Sequence, residues 1–468
     1  MNKVKVFLIP MLVIVVLVTM VILPGCKKTT TETTSVASTT SEITTAVETT
    51  GTTVAATTKV EGSIDYWTYY ALPQEEGKKD AVIESFENEH PGATVNLNLQ
   101  AEYGTYLDSL KISVPGGNAG DVVLMEVGAQ SRQYADFLLP MEDLANNQWG
   151  QDWQEKIFIK TALDQAYLTD PKGEHLLMLP GTMHIGGYVW YNRDIFKKYN
   201  LEIPSTYAEL LEIAKTLKNN GIIPMVFGGK DDWQYADLYI VLAEQAKPGL
   251  LQKAEAGEAS WTSPELVKAL TLMVKMFKED SIFQEGVLGA TAYPEAFTLF
   301  WSGKAAMVIS GSWNAGARAS AFPDASPEWD EQWGIFQVPP LEPGLDKGSY
   351  FAGVAAAFGI TKYSKNPTLA WEFIQWFVTK GMKIMVDLGY GYPTVKTYEV
   401  APRETPIAQQ NQERFLNDMV NSQTVRREFI YPDLKMALIN ALKACVAGEA
   451  NPEDAMVKVE EVSKTIKR

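Results

Sequence analysis

The residues of this sequence best placed to do chemistry are aromatic rings set at strand ends and turns. Trp313 follows Gly311-Ser312 at the end of an apolar run, and Trp233 ends the Gly-rich stretch Gly228-Gly229-Lys230-Asp231-Asp232. Tyr69 and Tyr70 follow a first predicted strand, and Glu126 follows a third. Rings so placed stack on flat apolar ligand faces, while carboxylates beside them bind hydroxyl groups. Aromatics on loops belong to cores less often than those inside elements. The chain holds 12 Trp and 20 Tyr, most of which a large domain uses for packing. Each candidate therefore competes with an ordinary packed ring.

Other chemistries find no foothold. The sequence lacks a P-loop, a Gly-x-Gly-x-x-Gly after a strand, His-Glu-x-x-His and Gly-x-Ser-x-Gly. The histidines His90, His175 and His184 are too scattered for a metal cluster, and no cofactor is expected. A net charge of -16 argues against nucleic-acid partners and against broad contact with an anionic membrane.

The first thirty residues set the compartment. Lys3 and Lys5 precede an uncharged apolar run from Val6 to Leu23, and Leu23-Pro24-Gly25-Cys26 closes it. That order reads as a secretory signal. A small residue before a Cys at its foot resembles the bacterial lipobox, in which the thiol is acylated and becomes the new N-terminus. The alternative is an uncleaved anchor, since the run is marginally long enough to span a bilayer. Residues 1–26 are thus expected to be a lipoprotein signal peptide ending at acylated Cys26. Residues 27–60 are rich in Thr and Ser with no aromatics, which predicts a disordered tether. The second cysteine, Cys445, lies in a predicted helix as a small core residue.

From about residue 61, some four hundred residues remain, too many for one ordinary core. Strands at Ile64–Trp67, Thr94–Leu99 and Asp121–Met125 alternate with helices, one reaching about Glu89 and one over Tyr103–Ser113. This order predicts an α/β fold with a parallel sheet, whose ligands bind beyond the carboxyl ends of the strands. Thr206-x-x-Glu209 is a capping box opening a helix with Tyr207, Leu210, Leu211, Ala214 and Leu217 on one face. Ser263-Pro264 and Asn366-Pro367 are helix starts of the Pro-first kind.

Three stretches carry a resemblance. Tyr191-Asn192-Arg193-Asp194-Ile195-Phe196 is followed by Pro204, Thr206 and Tyr207; Gly303-Lys304-Ala305-Ala306-Met307 leads to Gly311-Ser312-Trp313; and Phe351-Ala352-Gly353 runs on to Gly359-Ile360 and Trp371-Glu372-Phe373. Over Ser63 to about Val395 the chain resembles the extracellular solute-binding proteins related to maltose-binding protein, the sugar-binding lipoproteins of ABC transporters. The stretch after Thr397 matches in general character only.

The resemblance implies a two-lobe periplasmic-binding-protein-like fold with discontinuous lobes and a hinge between them. Lobe one would hold residues 61–183 and 336–361, and lobe two residues 184–334 and 362–468. It implies no catalysis: the lobes close around a carbohydrate, which ABC permease subunits then receive. It implies a monomer on the extracellular face of the cell membrane, tied there through its lipid anchor only. Trp313 becomes the leading stacking platform, with Trp233 beside it. Glu126 takes the place of a polar contact, and His184 falls at a crossover between lobes, although lone histidines are more often structural. Tyr390, in Gly389-Tyr390-Gly391-Tyr392-Pro393, matches a late binding loop. Asp231 and Arg132 complete the candidates with Tyr69 and Tyr70. Two alternatives stay open: a secreted glycoside hydrolase, which needs two carboxylates at a set separation that 57 acidic residues do not single out, and a sugar receptor for a membrane sensor.

Overall fold

The computed structural model describes residues 60–69, 80–100, 103–322, 324–421 and 424–468. Cys26, the tether and Tyr70 lie outside the described residues. Among those described, no helix is long and apolar enough to cross a membrane.

Among the described residues ten strands make one mixed sheet: β1 (Gly62–Thr68), β2 (Ala93–Leu99), β3 (Val122–Met125), β4 (Leu179–Asn192), β5 (Ile223–Val226), β6 (Ala305–Gly311), β7 (Trp333–Gln337), β8 (Tyr350–Ile360), β9 (Tyr392–Pro393) and β10 (Thr424–Arg426). The path runs β2-β1-β3-β8-β4-β6-β5, with β7 and β9 pairing β4 and β10 pairing β8. The opening β-α-β-α-β segment is parallel as predicted, with β1 between β2 and β3. The fourth strand on that path, β8, runs antiparallel to β3, so the whole sheet is mixed and not parallel throughout.

Local pattern accounts for these strands. β1 buries Ile64, Tyr66 and Thr68 and exposes Ser63 and Asp65, the period of a half-buried strand. β3 is Val-Val-Leu-Met, buried at all four positions and covered on both faces. The capping box forms in full: Thr206 Oγ1 accepts from the Glu209 amide, and the Glu209 carboxylate accepts from the Thr206 amide.

β4 and β8 hold the architecture together. β4 pairs with β8 from Leu179 to Gly186, then with β6 and β7 from Gly186 to Asn192. β8 in turn reaches β3 with Ala357–Ile360 and β10 with Tyr350–Ala352. Register shifts near Thr182 and between Gly186 and Tyr188 interrupt β4 where it changes partners. Such irregularities bend a strand and increase its twist. Gly186 is required there, because a Cβ would lie 2.2 Å from the Phe351 ring.

Among the described residues three hydrophobic clusters form, one of them running along β4 and β8 themselves with Ile185, Tyr188 and Val354, and two others beside it. Ile64, Phe86, Trp153, Phe158, Leu369, Phe373 and Trp376 share one. Tyr239, Trp261, Met273, Leu438, Leu442 and Val459 share another. The C-terminal part of the chain is shared between these two clusters. The helix Pro367–Trp376 packs with β1, because Leu369, Ala370, Phe373 and Ile374 present one apolar face to it, whereas Pro432–Ala447 packs in the other core.

Asn366 starts the first of these helices. Its Oδ1 accepts from the Leu369 amide at 3.2 Å, and its Nδ2 donates to Glu61 O at 3.0 Å, joining the helix to the chain just before β1. Asn366→Ala is expected to cost about 1 kcal/mol, the usual value of an N-cap. Chemical denaturation measures it; an unchanged midpoint would mean that solvent replaces both bonds.

Candidate functional site

The predicted rings converge. Trp313 lies in the turn Ser312–Gly316 that follows β6, and its indole folds back over Gly311, where a Cβ would come within 2.1 Å of it. The ring stacks on His184 at 5.7 Å between centroids and meets Trp233 edge-on at 6.1 Å. Trp233, in the first turn of the helix Asp232–Ala246, stacks on Tyr293 at 6.2 Å. Trp313 and Trp233 are both half-buried, so each keeps part of its surface accessible. Asn314 accepts a hydrogen bond from the Tyr293 hydroxyl at 3.1 Å.

Beneath the rings lies a cation that the sequence alone does not single out. The Arg427 guanidinium sits 5.0 Å from the Trp313 ring centre, 5.9 Å from Trp233 and 6.0 Å from Phe351. It forks onto Asp237, with Nε and Nη2 donating to the two carboxylate oxygens at 2.8 and 3.2 Å. Its Nη1 lies 3.5 Å from Glu126 and 3.3 Å from Glu428. Lys435 adds a second cation, 3.0 Å from Glu428 and 3.9 Å from Glu126. Three buried carboxylates thus face two cations, at a depth where an unpaired charge is prohibitive.

Each member titrates according to its surroundings. Burial, then Glu428, raises the Glu126 carboxyl above its ordinary value. Burial also pushes Glu428 upward, but Lys435 and Arg427 outweigh it and hold that carboxyl low. Burial raises Asp237 to about 6 in spite of Arg427. For Arg427 itself burial opposes the charge, and Asp237, Glu428 and Glu126 more than restore it.

Tyr69 joins this network from the end of β1. It meets Tyr103 edge-on at 4.8 Å, and burial followed by the Glu126 charge raises its hydroxyl well above the ordinary range. Tyr103 also hydrogen-bonds Glu126. Tyr390 is buried in the core around β1, its ring against Gly316, and its backbone hydrogen-bonds the His184 ring. Asp231 accepts from the Ala292 amide at 2.5 Å and so ties the Gly-rich loop to the segment bearing Tyr293. Arg132 lies apart from the cluster: its guanidinium donates to Leu168 O at 3.4 Å and Pro171 O at 2.9 Å, holding a neighbouring loop.

Sequence reasoning misses Arg427, Glu428, Asp237, Lys435, Tyr103 and Tyr293. A signal exists for the first two: Arg426-Arg427-Glu428 is a charged triplet interrupting Val425 and Phe429-Ile430-Tyr431, just before the helix start at Pro432. Asp237 stands on a helix whose residues from Gln234 to Gln245 are all buried, so its charge has to be paired.

Chemically, the arrangement offers half-exposed indole faces, a neutral imidazole and a rigid charged floor. These groups suit an uncharged ligand with an apolar face and several hydroxyls. Glu126 and Glu428 have their pKa values pushed apart, as an acid–base pair does, yet both are committed to Arg427 and Lys435.

Comparison with known proteins accords with this geometry. The bacterial extracellular solute-binding protein family matches residues 64–384. An uncharacterized ABC transporter extracellular-binding protein of Pyrococcus horikoshii is 26% identical over 54% of this chain, and the match spans 56% of that relative, little more than half its length. A galactooligosaccharide-binding protein of Bacillus subtilis is 25% identical over 83% of this chain and 86% of its own. A solved structure from work on xylan utilization by Caldanaerobius polysaccharolyticus superposes with a TM-score of 0.73 at 20% identity, covering 86% of this chain and 99% of that one. The fold is accordingly the two-lobe α/β fold of periplasmic sugar-binding proteins.

His184 supplies a pH test. Burial, then Arg427, holds its ring at about 3 against an ordinary 6.5. The unfolded chain takes up this proton as pH falls through 6.5, while the folded chain resists until about 3. The stability contributed by the neutral ring is therefore complete above the unfolded value and lost progressively below it. The melting-temperature gap between wild type and His184→Gln is expected to narrow from about pH 7 to about pH 4. A constant gap would show that the ring titrates alike in both states.

Proposed function

The chain belongs to the bacterial extracellular solute-binding protein family, and on that premise we propose that it captures a carbohydrate, most simply an oligosaccharide, for an ABC importer. The observation that carries this reading is the convergence of Trp313, Trp233 and Tyr293 above the Arg427 network. A sugar has an apolar C–H face that stacks on an indole and a rim of hydroxyls that bond to fixed polar groups. The galactooligosaccharide-binding relative supports that class of ligand.

The mechanism needs no catalytic residue. A ligand that contacts both lobes stabilises the closed arrangement over the open one, and this difference is what a permease reads. Residues 61–183 and 336–361, with the helices of 367–387, form one lobe in this proposal; residues 184–334 and the helices from 432 onward form the other. The helix packing around Ile64 and around Tyr239 supports this division. β4 and β8, which pair with strands of both halves, are the proposed hinge.

Trp313→Ala tests the site. Truncating a ring at a binding hot spot costs on the order of 2 kcal/mol or more, roughly a thirty-fold loss of affinity. The ligand-free melting temperature should change little, whereas truncating a packed core Trp costs about 3–5 kcal/mol of stability. Normal sugar binding by a variant that melts much earlier would make Trp313 a core residue. Turnover of the bound sugar by the purified protein would favour the hydrolase instead.

The anchor is a separate proposal, resting on Leu23-Pro24-Gly25-Cys26 behind the apolar run. A diacylated Cys26 carries two chains, which suffices for stable attachment where one chain is marginal. Mass spectrometry of the native protein should find diacylglycerol on an N-terminal Cys26. An intact leader, or a mature N-terminus elsewhere, would refute it.

A further inference from the structure

The Arg427 network holds one carboxylate more than it has cations. Among the described residues, Glu126, Asp237 and Glu428 are each 5% exposed or less and face only Arg427 and Lys435. Arg426, next in the chain, is bound to Glu255, and His184 is neutral, so neither supplies the missing positive charge. A surplus charge at this depth is costly, and a buried group sheds it by changing its protonation.

The distances single out which carboxylate carries the surplus. Asp237 takes the fork of Arg427 at 2.8 and 3.2 Å. Glu428 lies 3.0 Å from Lys435 and 3.3 Å from Arg427. Glu126 is left with the longest approaches, 3.5 Å to Arg427 and 3.9 Å to Lys435. Both exceed the roughly 2.7–3.2 Å of a well-formed N–H···O bond. Its other titratable neighbours are the Tyr103 and Tyr69 phenols, which bring no positive charge. Burial, then Glu428, raises its carboxyl in keeping with this geometry.

Of the five side chains, only Glu126 comes from residues 61–183. Asp237, Arg427, Glu428 and Lys435 all reach it from later segments, and the backbones meet beside it, where the Ala129 amide donates to Phe429 O at 2.7 Å. We propose that Glu126 is a proton site: it joins the cluster as the neutral acid, its proton taken from solvent, so that the meeting of the two halves takes up one proton. The coupling to closure rests on the proposed division into halves that close on a sugar; the proton on Glu126 does not.

Melting curves of the intact chain against pH test the proton without any ligand. Glu126→Gln keeps the shape of the neutral acid and removes the titration. A carboxyl raised in the folded state keeps its proton there at pH values where the unfolded carboxyl, at an ordinary 4.5, has lost it. Wild-type stability relative to this variant is therefore complete at and below the unfolded value and falls as pH rises through the folded one. Between about pH 5 and pH 8 the melting temperature of Glu126→Gln should rise relative to wild type. An ordinary ion-pair partner behaves in the opposite way, its loss mattering most where the carboxylate is charged. A gap that moves in that direction, or stays constant, overturns the proposal, as does a relative rise shown by Asp237→Asn in place of Glu126→Gln.

Calorimetric titration with galactobiose, xylobiose and maltose tests the coupling. Over the same range the wild-type affinity for a sugar that binds should fall with rising pH, by at most about tenfold per unit for one proton. Glu126→Gln should bind it with an affinity that no longer varies. A wild-type affinity independent of pH, or a pH dependence that survives Glu126→Gln, overturns the coupling. Binding of none of the three sugars would count against the sugar reading, and the melting gap would still decide the proton.

Discussion

A guanidinium buried among aromatic rings cannot stand alone, and much of this protein's centre follows from satisfying Arg427. Removing such a charge from water costs several kcal/mol, recovered only by close, well-oriented partners. The partners come from separate parts of the chain: Glu126 after β3, Asp237 in the helix Asp232–Ala246, and Glu428 next to Arg427 itself. Lys435 balances the acidic excess. The two indoles rest over the same cation, an arrangement in which ring and charge attract. The rings and the carboxylates thus share one ion.

This convergence is possible because β4 and β8 run through both halves of the sheet. Short parallel strands alone would keep β1 and β3 in one set of neighbours and β5 and β6 in another. The long strands carry His184 to the side of Trp313, while the pairing of β10 with β8 delivers Arg427 under the rings. The bulged positions on β4 supply the bend, and Gly186 supplies the close approach to Phe351.

The electrostatics narrow what the centre can do. His184 is held neutral, first by burial and then by Arg427. All three carboxylates are paired with Arg427 or Lys435. A charge-balanced floor beneath partly accessible rings suits an uncharged ligand. That character agrees with membership of a family of solute receptors.

Local physics makes much of this protein legible in its sequence. The parallel start, the capping box at Thr206 and the cap at Asn366 are short-range consequences of periodicity and side-chain hydrogen bonding. The positions of Trp313 and Trp233 at element ends are legible for the same reason. Other features depend on pairs far apart in the chain. The antiparallel entry of β8 beside β3 joins segments that no local pattern relates. The return of Pro367–Trp376 to the core of β1 is likewise a matter of long-range packing. Tyr390 sits on a loop by sequence but in a core by structure, because its ring fills space beside Gly316. Arg427 is the sharpest case: in sequence it is one charge in a charged triplet, and its role arises from Asp237, 190 residues away. Periodicity and capping are decided within a few residues of chain, whereas the pairing of a buried charge is decided only when distant segments meet.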